Sequence, residues 1–75
     1  MTLTVICGMN ICKRLGQNVR HLREWGGMSQ EDLADRSGLH RTYISGVERG
    51  VRNPTVAVLE KIAKALKVKT ATLLE

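Results

Sequence analysis

Apolar positions along this chain recur every three or four residues, the spacing of one helix face, and glycine or proline breaks the runs. Ile11, Leu15, Val19 and Leu22 share one stripe, which predicts a first helix from about Ile11 to Trp25, stopped by Gly26 and Gly27. A second helix opens at Ser29, a capping residue with Asp32 three positions on and Leu33 and Ala34 following, which is a capping-box variant. It ends near Ser37, because Gly38 can take the left-handed conformation that closes a helix. A third spans roughly His40 to Arg49 and stops at Gly50. The fourth follows Pro54 and Thr55, with Val56, Leu59, Ile62, Ala63 and Leu66 at helical spacing. A short fifth opens at Thr70 and holds Leu73 and Leu74. The pattern predicts an all-α fold, a compact five-helix domain over residues 11–75. Gly46 is the main glycine to fall inside a periodic segment instead of between two.

Residues 1–10 stand apart from this pattern. The favoured reading is a poorly ordered N-terminal arm. Two others stay open: a short strand from Thr2 to Cys7 that pairs with another copy, and a cellular start at Met9 that leaves the first eight residues outside the protein.

Length and composition narrow the fold. Seventy-five residues make one domain with a thin core, since domains of about 60 residues hide only about 60% of the surface their unfolded chains expose. One proline, no phenylalanine and many Leu, Ala, Lys, Arg and Glu residues suit helices joined by short turns. The formal charge of +5 and a pI near 9.8 attract polyanions. Nucleic acid is the commonest such partner and an anionic membrane its competitor, while solubility alone would also account for the charge.

The two cysteines, Cys7 and Cys12, form no CxxC pair, and His21 and His40 do not fall at zinc-finger spacing, so no metal or other cofactor is expected. A disulfide between positions five apart would staple almost nothing; reduced thiols in a cytoplasmic protein are expected. The apolar run from Leu3 to Cys7 is too short to span a bilayer and lacks the charged start of a secretory signal. Neither a membrane nor a small-molecule ligand is expected as a partner.

Two short helices, 29–37 and 40–49, joined by a turn centred on Gly38 and Leu39, make a helix-turn-helix unit. A small residue is needed where the second helix crosses the first, and Ala34 fills that place. Leu39, Ile44 and Val47 are spaced to anchor the second helix. Projected at about 100° per residue, Ile44 and Val47 mark its buried side. Thr42, Ser45, Gly46 and Arg49 fall opposite, with Arg41 and Tyr43 on the flanks. An ordinary surface helix would carry glutamate and lysine there, whereas Arg, Thr and Ser are groups that meet base edges in a major groove. Glycine within a helix costs about 1 kcal/mol relative to alanine, a cost that close approach to another surface would offset. Gln30 lies in the first turn of the second helix, beside free N–H groups that can receive a phosphate. Arg49, Arg52 and Asn53 cluster just past the reading helix, where a DNA strand would run. Arg14, Arg20 and Arg23 on the first helix are weaker phosphate candidates.

The stretch from Met28 to Ala34, then Gly38 to Gly50, closely resembles helix-turn-helix proteins of the Cro and phage-repressor type. The likeness continues through Arg52-Asn53-Pro54-Thr55 and Leu59 to Leu66, and covers most of residues 13–75. Within that family the phrase from His40 to Gly46, followed by Glu48-Arg49 and Arg52-Asn53-Pro54, is similar to the controller proteins of restriction–modification systems. The resemblance implies a five-helix fold, a homodimer formed through the C-terminal helix region, and a two-fold symmetric operator in double-stranded DNA. It assigns Arg41, Thr42, Ser45 and Gly46 to the bases, and Gln30, Tyr43, Arg49 and Asn53 to the backbone, joined there by His40 and Arg52. Val68, Ala71, Leu73 and Leu74 are the candidates for the dimer patch, unless they finish the monomer core. Two departures stand out: His40 replaces the Ser or Thr that usually caps the reading helix, and Thr2 to Cys7 has no family counterpart.

The expected function is therefore a dimeric, sequence-specific transcriptional regulator. An antitoxin-like module that covers a protein partner is the alternative, although the chain ends at Glu75 with no room for the usual partner-binding tail. An enzyme is not expected. Ser29, His21 and Asp35 are scattered near caps and helix surfaces, and no metal-ligand cluster or phosphate-cradling glycine loop accompanies them.

Overall fold

The computed structural model describes the backbone of residues 3–75 and the side chains of residues 11–75. The described residues form five helices and no strand: α1 Leu3–Trp25, α2 Gln30–Ser37, α3 Arg41–Glu48, α4 Val56–Leu66 and α5 Thr70–Leu73. α1 packs on α3 and touches α4 and α5, α2 sits between α3 and α4, and α4 packs on α5.

Local chemistry sets the helix ends. At α2, the Ser29 hydroxyl accepts the N–H of Asp32, and the Asp32 carboxylate accepts the N–H of Ser29, both at 3.0 Å. The capping box predicted from Ser29 and Asp32 is therefore complete. Gly38 closes the same helix at φ 75°, in the left-handed region. Thr55 caps α4 by accepting the N–H of Val58. Two helices start without such a bond: neither His40, the N-cap of α3, nor Lys69, the N-cap of α5, makes a side-chain capping hydrogen bond.

The first helix corrects the sequence-based expectation. It starts at Leu3, not near Ile11, so the backbone has no break between an arm and a domain at residue 10. Leu3 to Cys7 is helical and not a strand; Thr2 and the side chains of residues 3–10 lie outside the described residues. The reason is cooperativity. No proline separates Leu3 from Ile11, and a helix already nucleated by its packed half gains one hydrogen bond for each residue added. Ile11 is 52% exposed, because the stripe loses its partner one turn before Leu15.

Val19, Leu33, Ile44, Val47, Ile62 and Leu73 are fully buried and draw on all five helices. Burying a side chain of this size stabilises the fold by about 1.5–3 kcal/mol. Of the two places open to Leu73, dimer patch or monomer core, it takes the core, and there Asn18 Nδ2 donates to its carbonyl at 2.8 Å and ties α5 to α1. Leu74 and Ala71 remain exposed and Val68 is half-buried. Gly16 also lies inside a helix, α1. A Cβ there would stand 2.6 Å from the carbonyl oxygen of Glu48 and closer still to that of Val47, so its absence lets α1 lie against the end of α3.

One polar group is embedded at that junction. The Arg23 guanidinium grips the Glu48 carboxylate through Nε to Oε2 at 2.6 Å and Nη2 to Oε1 at 3.1 Å. The two side chains are 10% and 4% exposed. Arg23 Nη1 also donates to the carbonyl of Met28 at 2.8 Å. The hydrogen bond to Glu48 raises the pKa of the guanidinium further, against the opposing effect of burial. Arg23 is thereby removed from the phosphate candidates. Arg20 is drawn to Glu24, and Arg14 donates to the carbonyl of Glu75.

Removing one member of a buried ion pair strands the other charge, at a cost of about 3–5 kcal/mol. Arg23→Met and Glu48→Leu should each destabilise the protein by that amount in urea unfolding. The double variant should lose far less, whereas a loss equal to the two singles added together would rule out the coupling. The capping box makes a separate prediction. The backbone N–H of Ser29, then its hydroxyl, holds the Asp32 carboxyl below its usual value of 3.8. Its stabilising effect is complete above that value and is lost as pH falls through the lower folded one. The stability gap between the wild type and Asp32→Asn should thus be constant from about pH 5 upward and close in stronger acid. A gap that stayed open at pH 2 would show that the carboxylate is not the capping species.

Candidate nucleic-acid interface

The turn between α2 and α3 places the second helix by packing alone. Ala34 is buried where α3 crosses, Leu39 is half-buried beneath the turn, and Ile44 and Val47 are fully buried. With that side fixed, Arg41 and Thr42 are exposed and Ser45 is half-exposed. These three side chains and Gln30 of α2 line one shallow depression. Four of the residues predicted from sequence thus meet on one surface, with a guanidinium, two hydroxyls and an amide among them. These groups can donate to and accept from base edges or phosphates.

Gln30 is not free to swing. Its Nε2 donates to Glu48 Oε1 at 3.1 Å, so the buried carboxylate that holds Arg23 also aims this amide from α2 along α3. The capping box uses the N–H groups of Ser29 and Asp32. This leaves the N–H groups of Gln30 and Glu31 as the donors that the start of α2 can offer to a phosphate.

The other predicted residues sit along the margins. His40 is exposed at the start of α3. Arg49 and Asn53 are exposed at the far end of the helix and in the loop beyond it. Tyr43 is half-buried, with the Arg52 guanidinium 5.7 Å from its ring centroid. Gly46 departs from expectation. It was placed among the base-reading residues, but it is buried, and Arg52 Cγ would lie only 2.6 Å from a Cβ at that position. The loop after α3 folds back over one flank of the helix, which a projection of α3 alone does not contain.

Glu48 is the functional residue that sequence reasoning passed over. A signal was present. A carboxylate in the last turn of a helix faces the negative end of the dipole, and in a basic DNA-reading unit it faces phosphate as well. Such a doubly unfavourable charge needs a cation close by. Among the described residues, no group of three or more His, Cys, Asp and Glu could hold a metal ion, and no helix is long and apolar enough to cross a membrane.

A family model described as helix-turn-helix matches residues 19–73. The control protein C.SmaI of Serratia marcescens is 51% identical over 69 residues, which span 92% of this chain and 82% of that protein. The crystal structure of the restriction–modification controller protein C.AhdI from Aeromonas hydrophila matches with a TM-score of 0.81 at 45% identity, covering 83% of this chain and 94% of that one. The controller protein C.Esp1396I, solved as a tetramer in complex with its natural 35 base-pair operator, matches with a TM-score of 0.78 at 43% identity, over 84% of this chain and 83% of that one. With its five helices, its capped turn and these relatives, the chain belongs to the helix-turn-helix family, among the control proteins of restriction–modification systems.

Proposed function

We propose that this protein is a homodimeric transcriptional regulator that controls a restriction–modification system by binding a two-fold symmetric operator. The observation that carries the reading is the depression in which Gln30 of α2 meets Arg41, Thr42 and Ser45 of α3. Arg41, Thr42 and Ser45 read base edges in the major groove. Gln30, His40, Arg49, Arg52 and Asn53 hold the sugar–phosphate backbone on either side, and Tyr43 acts there through the Arg52 guanidinium over its ring. It acts in the cytoplasm, by binding and not by catalysis.

Dimerisation has a physical motive. α3 has eight residues and rises about 12 Å, enough to read only a few base pairs. Two copies on half-sites about 34 Å apart multiply that discrimination. Leu74 and Ala71, with the edge of Val68, supply the apolar contact between copies; Leu73 supports it from within the core. The C.Esp1396I tetramer on its operator supports assembly on DNA as part of the same reading.

Selection from a random duplex pool at physiological salt tests the proposal directly. Two inverted half-sites at a fixed spacing near one helical turn are expected; retention of no preferred sequence would overturn it. On the selected operator, Arg41→Ala should cost about 1–3 kcal/mol and relax preference at one position in each half-site. Equal losses on operator and random DNA would remove Arg41 from the bases. Arg49→Ala should weaken binding to every sequence and lower the salt dependence by about one phosphate contact. An unchanged salt slope would exclude Arg49 from the backbone. For the dimer, Leu74→Glu should shift the sedimenting species to the monomer while helicity is kept; a dimer that persists would place the interface elsewhere.

A further inference from the structure

Gly46 stands in the middle of α3, where glycine weakens a helix relative to alanine. The atoms around it show what occupies the place of the missing side chain. A Cβ built there would lie 2.6 Å from Cγ of Arg52, 3.3 Å from Nε and 3.5 Å from Cδ. The stem of Arg52 therefore lies on the bare backbone of the helix. Its guanidinium stands over Tyr43, the residue three positions back on the same flank. Arg52 is exposed, and none of the ion pairs among the described residues involves it. At about 100° per residue, Tyr43 and Gly46 border the face that carries Thr42 and Arg49. The seat thus holds an unpaired cation at one edge of the reading face. The opposite edge is held by Gln30 on Glu48.

Resting on the DNA-binding reading above, we propose that Gly46 is a positioning residue that meets no base: its missing side chain forms the seat that, with the Tyr43 ring, presents the Arg52 guanidinium to a DNA phosphate. Cγ is near the root of the Arg52 side chain, so an added methyl group at Gly46 cannot be met by a small shift of the tip. The whole side chain must leave the helix. Gly46 therefore acts on DNA through Arg52 alone, and Tyr43 contributes by fixing the plane and position of the charge.

The test is a double-mutant cycle on the operator recovered by selection, with affinities measured by fluorescence anisotropy at several salt concentrations. Gly46→Ala and Arg52→Ala should each weaken binding by a similar factor, on the order of 5- to 10-fold, on operator and random DNA alike. Both should lower the salt slope by about one. The double variant should bind no more weakly than Arg52→Ala. Gly46→Ala should melt at the same temperature as the wild type or higher, since alanine is the better helix former. Tyr43→Phe should keep the affinity, and Tyr43→Leu should lose about two- to fivefold only while Arg52 is present. Losses at Gly46 and Arg52 that multiply in the double variant would mean that Gly46 faces the DNA itself, and would overturn the proposal. Wild-type affinity in Gly46→Ala would overturn it as well. If Gly46→Ala lowers the melting temperature, the Tyr43→Leu and Arg52→Ala pair decides by the same coupling: additive losses overturn the proposal. A wild-type chain that retains no DNA sequence would instead remove the regulatory function, and this inference with it.

Discussion

The reading helix keeps its position because a carboxylate at its end is buried against a guanidinium from another helix. Glu48 sits in the last turn of α3, where the helix dipole disfavours a negative charge. Arg23 answers it with two charge-assisted bonds, and its third donor takes the carbonyl of Met28 in the turn before α2. Gln30 adds a bond from the first turn of α2. The end of α1, the turn, the start of α2 and the end of α3 are thus joined through one carboxylate. Buried pairs of this kind add little net stability compared with well-packed apolar residues, since desolvation cancels most of the attraction. Direction is what they supply: the two oxygens of Glu48 are satisfied only when these elements hold one relative placement.

Close backbone approach makes that placement possible. Without a side chain at Gly16, α1 can rest on the carbonyl end of α3, which brings Arg23, about two turns further along α1, within reach of Glu48. Packing then fixes the rotation of α3. Ile44 and Val47 are wholly buried, so the opposite side, with Arg41, Thr42 and Ser45, must face outward. Such a surface costs no reorganisation on binding beyond the side chains themselves, because the helix beneath it is already held at both ends.

Charge is divided along the same lines. Glu31, Asp32 and Asp35 are exposed on α2, while Arg41, Arg49 and Arg52 are exposed on α3 and the loop beyond it. Arg36 on α2 and Lys61, Lys64, Lys67 and Lys69 around α4 are exposed as well, so the net charge of +5 raises affinity for polyanions generally, and the α3 side is set apart by carrying its cations without an exposed carboxylate among them.

Much of this structure is written in short-range interactions, and those were legible in the sequence. Ser29 with Asp32, Gly38 and Thr55 act on backbone groups within four residues, so the ends of α2 and the start of α4 needed no tertiary context. The period of Ile44 and Val47 was enough to put Arg41, Thr42 and Ser45 on the free face. The tertiary structure decided whatever depends on a partner distant in the chain. Arg23 and Glu48 are 25 positions apart, and Asn18 and the Leu73 carbonyl 55. Periodicity tells which way a side chain points on its own helix, but not what another element brings to meet it. Arg23, read as a surface cation, became the buried half of an ion pair. Leu73, open in sequence between interface and core, is core, and Gly46, read as facing DNA, is the seat of an arginine from the following loop. Each case turns on the same physical step: the sequence determines the faces of its helices, and only packing determines which of those faces find one another.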